Sequence, residues 1–179
     1  AGATVVLNGR NRPALDAVRD EIERSGGAAH VAAYDLLDSE QVAALVAEVD
    51  ERFGRLDVVV NNAYRGTTGT IESATPADYD HSFRIGMTAP ADLVGRALDL
   101  LERSSDEQHS ASVVNIASMY GVVSPDPAVY GDSGHNSAPY YGAAKAAMLQ
   151  WTRYAAVHLA PRRIRVNAVT PGPFPQPTV

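Results

Sequence analysis

At 179 residues the chain is long enough for one domain with a real core, and its 45% apolar content is that of an ordinary globular protein. A formal net charge of −6 with no basic block speaks against a nucleic-acid or anionic-membrane partner, and no apolar run approaches the length of a membrane span. Cysteine is absent, which removes disulfides and thiolate chemistry and fits a reducing, cytoplasmic setting; the five histidines (His30, His81, His109, His135 and His158) stand too far apart for a metal site.

In chain order, "ATVVLNGRN" (3–11) predicts a short buried strand ending in polar turn residues. A helix follows, with Leu15, Val18 and Ile22 at helical spacing, Pro13 near its first turn and Gly26–Gly27 as its stop. "AAHVAAYDL" (28–36) predicts a second strand, and 38–54 the clearest helix, with Asp38 and Gln41 as a capping box and Val42, Leu45, Val46, Val49 and Phe53 as one apolar stripe. "LDVVVNNA" (56–63) predicts a strand buried on both faces. A long helix is expected from the Thr75 cap and Pro76 to about Arg103, bent by Gly86 and Pro90. "ASVVNIAS" (111–118) predicts another strand, 120–138 a polar loop rich in proline and glycine, 139–160 a helix and "RIRVNAV" (163–169) a last strand. Alternating strands and helices predict a parallel α/β sheet with helices on both faces, organised as one domain over 1–179.

The helix at 139–160 carries "YYGAAK", two adjacent tyrosines before a lysine. Side chains at i and i+4 share a helical face and those at i and i+5 diverge, so Tyr141, not Tyr140, is the partner of Lys145. Taken alone, the pair reads as an exposed helical couple, Ser118 as a strand-end cap, and Asn61 and Asn62 as turn formers. Four landmarks, however, fall in register: "NNAY" (61–64), "NIAS" (115–118), "YGAAK" (141–145) and "NAVTPG" (167–172). Together they resemble the short-chain dehydrogenase/reductase family over nearly the whole chain.

That resemblance implies a three-layer Rossmann-type fold, a doubly wound parallel sheet, and an NAD(P)-dependent oxidoreductase. It implies Tyr141 as the acid/base, Ser118 as a hydrogen-bond donor to the substrate oxygen, and Lys145 as a second contact to the nicotinamide ribose. A tyrosine ordinarily titrates near ~10, and an ammonium one helical turn away favours its ionised form. Asp35 and Leu36 resemble the family's contact to the adenine edge, Asn62 and Ala63 the contact beside the ribose, and Pro171 and Gly172 the turn that passes the nicotinamide. Gly9 stands where an acidic residue would select NAD, with Arg10 beside it, which favours NADP(H) over NAD(H).

The chain departs from the family pattern in several places. The glycine-rich loop with its first strand, and the last strand with the substrate-covering helices, are not within these residues, so a fragment is expected. Gly86 stands at the place of the relay asparagine in many members, and Tyr64 at the place of the usual glycine. Tyr64 then either turns into solvent or narrows the cleft. Ser118 and Tyr141 are 23 residues apart, farther than in typical members, and the intervening polar segment carries Asp126, Asp132, His135 and Asn136. That loop and "PGPFP" resemble the gluconate 5-dehydrogenase-like branch. The expected reaction interconverts a secondary alcohol and a ketone on a polyol or sugar acid. The alternatives are a 3-oxoacyl thioester reductase and a non-catalytic protein of the same fold. The family also implies a homodimer or homotetramer formed through the helices at 76–103 and 139–160, with Leu149 and Trp151 as candidate contacts.

Overall fold

The computed structural model describes residues 2–66, 68–108, 110–132 and 136–172; His109, His135 and the end of "PGPFP" lie outside the described residues. The chain divides into two compact units, Ala1–Gly54 and Arg55–Val179.

In the first unit, β1 (Thr4–Asn8) pairs in parallel with β2 (Ala28–Ala32), in register from Thr4–Ala28 to Asn8–Ala32. Helix α1 (Arg12–Arg24) is capped by Asn11, whose side chain accepts from the Ala14 amide, with Pro13 in the first turn. It buries no residue completely, and Val18 remains exposed. Helix α2 (Ser39–Phe53) buries Val42, Leu45 and Val49, and Gly54 closes it in the left-handed region at φ 69°. Phe53 falls at the edge of the apolar stripe rather than within it, its ring edge-on to His30. Asp38 caps α2 by accepting from the amides of Glu40 and Gln41. The reciprocal half of the expected capping box is displaced, because the Gln41 side-chain oxygen accepts from the Asp35 amide instead.

In the second unit, β3 (Val58–Asn61), β4 (Ala111–Ile116) and β5 (Ile164–Val169) form a parallel sheet in the order β3-β4-β5. The expected strand buried on both faces is not β3: its residues alternate, with Val59 and Asn61 buried and Val58 and Val60 51% and 56% exposed. A β-branched run reads alike in a central strand and in one that pairs on a single side, and β3 is at the edge of its sheet.

The long helix is three. Helix α3 (Pro76–Phe83) opens with a complete capping box between Thr75 and Asp78. A π-turn over Arg84–Thr88, closed by the Ala89 amide on the Arg84 carbonyl, then leads into α4 (Ala89–Arg96). Pro90 lacks an N–H and so withdraws the α-helical donor from the Gly86 carbonyl, which accounts for the wider turn. A break at Ala97 separates α4 from α5 (Leu98–Gln108). Helix α6 (Pro139–Leu159) buries Ala144, Met148, Ala155 and Leu159, while Leu100, Leu101, Val113 and Ile164 complete the best-shielded apolar core of this unit. No helix among the described residues is long and apolar enough to cross a membrane.

Candidate active site

The site of the second unit is built where its strands end. Asn61 and Asn115 are register partners at the ends of β3 and β4, and both are buried. The Asn61 amide donates to the Asn115 side-chain oxygen at 2.8 Å, and the Asn115 amide donates to the Thr152 hydroxyl at 2.8 Å. That hydroxyl in turn donates to the Met148 carbonyl at 2.8 Å. Two strands and α6 are thereby fixed to one another by a polar chain with every member satisfied. The motifs assign no role to the Asn115 or Thr152 side chains; their signal is a polar residue inside an otherwise apolar strand and an apolar helix face.

Beyond β4, Ser118 is buried and its hydroxyl oxygen accepts from the Tyr120 amide at 3.2 Å. The Met119 amide donates to the Pro171 carbonyl at 3.1 Å, which draws the turn after β5 against this segment, whereas Gly172 is exposed. Two glycines set how closely the segment meets α6. A β-carbon on Gly121 would stand 2.8 Å from the Lys145 carbonyl carbon, and one on Gly142 would stand 2.7 Å from the Tyr120 carbonyl oxygen. Bare backbone therefore touches bare backbone on both sides of the contact.

The two tyrosines part company as helical spacing predicts. Tyr140 is buried, with its ring edge-on to Tyr79 at 5.8 Å. Tyr141 is half-buried on the Lys145 side, with the lysine Nζ 5.8 Å from its ring centroid. Lys145 is only 3% exposed, and its Nζ donates to the Ile116 carbonyl at 2.6 Å. Burial pulls its pKa from the ordinary 10.5 to about 8. Asn62 and Ala63 are exposed just past β3. Tyr64 does not turn into solvent: its ring lies 4.9 Å from that of Tyr141, at 65°.

An open cavity of about 1050 Å³ adjoins Tyr120, Gly121 and the Gly142, Ala143 and Ala146 positions of α6, and is lined also by Thr70, Glu72, Ser73, Tyr130 and Asn136; Ser118, Tyr141 and Lys145 are not among its lining residues. Its walls are tied across by Asn136, which accepts from the Gly69 amide at 3.0 Å and donates to the Gly69 carbonyl at 2.6 Å. A second tie joins the Tyr120 and Tyr130 hydroxyls at 2.8 Å, and that hydrogen bond raises the Tyr130 pKa to about 12.

In the first unit, Arg10 follows β1 and Asp35 and Leu36 follow β2. The Arg10 guanidinium lies 3.7 Å from the Asp35 carboxylate, with side chains 56% and 31% exposed. The Asp35 carboxylate is already oriented by the Leu37 amide. With Gly9 supplying no acid, this leaves an accessible guanidinium at the end of β1, a donor set that fits a phosphate group. No metal-ligating group of three or more side chains occurs among the described residues.

The sequence profile described as short chain dehydrogenase matches residues 1–178, and the chain belongs to that family. It is 38% identical over 173 residues to an uncharacterized oxidoreductase of Mycobacterium tuberculosis, covering 96% of this chain and 60% of that protein. It is 29% identical over 171 residues to the 3-oxoacyl-[acyl-carrier-protein] reductase of Thermotoga maritima, covering 96% and 64%. Among solved structures, Pseudomonas aeruginosa RhlG in an NADP active-site complex superposes with a TM-score of 0.85 at 26% identity, over 97% of this chain and 64% of that one. L-Sorbose reductase of Gluconobacter frateurii, complexed with NADPH and L-sorbose, gives 0.83 at 25%, over 99% and 62%. The chain thus spans less than two thirds of the length of these relatives.

Proposed function

We propose that the protein is an NADP(H)-dependent oxidoreductase that interconverts a secondary alcohol and a ketone, with residues 1–179 belonging to one Rossmann domain. The observation that carries this reading is the placement of Tyr141, and not Tyr140, on the Lys145 side of α6. The nicotinamide cofactor supplies or accepts the hydride. Tyr141 gives the proton to the substrate oxygen during reduction and takes it back during oxidation. Lys145 provides positive charge one helical turn away and contacts the nicotinamide ribose. Ser118 donates a hydrogen bond to the substrate oxygen. Arg10 receives the 2′-phosphate, Asp35 and Leu36 meet the adenine, Asn62 and Ala63 the ribose beside it, and Pro171 and Gly172 the nicotinamide.

The proposed substrate is a polyol or sugar acid, as in the gluconate 5-dehydrogenase-like branch. Support comes from the likeness to a reductase complexed with L-sorbose, and from the Thr70 and Ser73 hydroxyls and the Asn136 amide of the adjoining cavity. The likeness to a 3-oxoacyl-[acyl-carrier-protein] reductase supports the alternative of an acyl thioester substrate. A homodimer or homotetramer is proposed through the helices of 76–103 and α6, with the half-buried Leu149 and Trp151 as candidate contacts and Tyr154 and Val157 of α6 66% and 79% exposed.

In a protein that includes the glycine-rich loop, the test compares Tyr141→Phe with Tyr140→Phe in NADPH-dependent reduction of keto-sugars and of acyl thioesters. Tyr141→Phe is expected to abolish turnover with cofactor binding nearly unchanged, and Tyr140→Phe to do much less. Equal losses would overturn the assignment, and turnover of thioesters alone would select the alternative substrate.

A further inference from the structure

Tyr64 is held in place on four sides. The Lys145 Nζ lies 5.0 Å from its ring centroid, nearer than the 5.8 Å to Tyr141. Its ring packs edge-to-face with Tyr141 at 4.9 Å. Its hydroxyl is 2.7 Å from the Ser82 hydroxyl, which donates to the Tyr140 carbonyl at 3.0 Å. A serine hydroxyl has one proton to give, so Tyr64 is the donor in the shared bond. Beneath the ring is Gly86 in the π-turn, where a β-carbon would stand 3.3 Å from the Tyr64 ring and 3.2 Å from the Ala144 β-carbon. The ring occupies the space that a side chain on Gly86 would take.

We propose that Tyr64 is a positioning residue for Tyr141 and Lys145, its ring holding the ammonium and bracing the Tyr141 ring while Ser82 and the bare backbone at Gly86 fix the ring itself. The role rests on the function proposed above. An aromatic face attracts a cation through its quadrupole, most strongly where water is excluded, and the buried Lys145 ammonium has few other compensations. Facing it among the described residues are the two phenols of Tyr64 and Tyr141 and the Ile116 carbonyl, with no carboxylate in an ion pair. Tyr64 is not a second acid/base: burial above all pushes its pKa up, so it keeps its proton and its bond to Ser82.

Lysine occurs once in residues 1–179, so isotopically labelled lysine in this chain yields one magnetic-resonance signal that reports the Lys145 titration without any turnover. Tyr64→Leu is expected to lower the titration midpoint by about half to one pH unit, a three- to tenfold loss of proton affinity. Tyr64→Phe keeps the ring and is expected to leave the midpoint in place. Tyr64→Leu combined with Gly86→Ala refills the space, serves if the single variant does not fold, and is expected to show the same lowered midpoint. In turnover, Tyr64→Leu should reduce kcat more than it changes KM and move the alkaline limb of ketone reduction to lower pH. An unchanged midpoint in the leucine variants, or equal shifts with leucine and phenylalanine, would overturn the proposal. Failure of a wild-type protein that includes the glycine-rich loop to reduce any ketone would count against the proposed function instead, with the titration still readable.

Discussion

Asn61 and Asn115 meet side chain to side chain at the ends of two paired strands, and the bond between them is one step of a buried chain that reaches Thr152 and the Met148 carbonyl on α6. Neither asparagine touches the proposed chemistry directly. Their bond sets where β3 and β4 end relative to the helix that carries Tyr141 and Lys145.

Asn115→Ala removes the centre of this chain: the buried Asn61 amide loses its acceptor, and the Thr152 hydroxyl loses one donor while keeping its own bond to the Met148 carbonyl. The expected cost is about 2–4 kcal/mol, and Thr152→Val, which orphans one amide proton, should cost about 1–2 kcal/mol. In urea denaturation the double variant should lose less than the sum of the two, because the same bond is counted in both.

Three glycines of the second unit differ sharply in what a methyl group would meet. Gly121→Ala and Gly142→Ala each place a carbon within 2.8 Å of backbone atoms, so the Ser118 segment must move away from α6. Both variants should lose about 1–3 kcal/mol and most of their turnover. Gly95 lies in α4, and a methyl group there would meet nothing within 4 Å. Gly95→Ala should therefore gain about 0.5–1 kcal/mol. Thermal denaturation of the three variants checks the division.

Lys145 costs stability for the sake of its position. A pKa drawn from 10.5 to about 8 corresponds to about 3 kcal/mol at neutral pH, since each pH unit is about 1.36 kcal/mol. Lys145→Met removes that penalty and also the bond to the Ile116 carbonyl and the contact with the rings, for a net gain of about 1–2 kcal/mol with turnover lost. Below pH 8 the lysine is protonated folded and unfolded alike; between 8 and 10.5 the unfolded chain keeps the proton longer. Wild-type stability should therefore rise with pH across that window, and the methionine variant should lack this rise.

Cofactor choice is open to direct exchange. A β-carbon on Gly9 would meet only the Leu15 side chain, at an ordinary 3.4 Å. Gly9→Asp with Arg10→Ala is thus sterically tolerated and supplies an acid where the guanidinium was. The ratio of kcat/KM for NADPH over NADH should fall about tenfold or more, a change of about 1.4 kcal/mol per decade. An unchanged ratio would place the 2′-phosphate contact elsewhere.

Much of the architecture is written in local signals. The caps at Asp38 and Thr75, the alternation of β-branched runs with helical stripes, and the four-residue spacing of Tyr141 and Lys145 depend on near neighbours in sequence, and they translate into structure with small shifts at element ends. What the sequence leaves open depends on distant partners. Whether Val58 and Val60 are covered is decided by what lies beside and over β3, and whether Gly121 must be glycine by the backbone it meets 24 residues later. The direction of Tyr64 is undecidable from "NNAY" because the space that receives its ring is created by Gly86, in another element.

The exposed side of β3 bears on how residues 1–179 behave when concentrated on their own. Among the described residues β3 pairs only with β4, and with Val58 and Val60 more than half exposed it is a template on which a strand from another copy of residues 1–179 can dock. Light scattering by a solution of residues 1–179 should therefore grow faster than linearly with protein concentration. Val60→Lys, a charge set on that edge, should suppress the growth while leaving the Asn61–Asn115 bond in place.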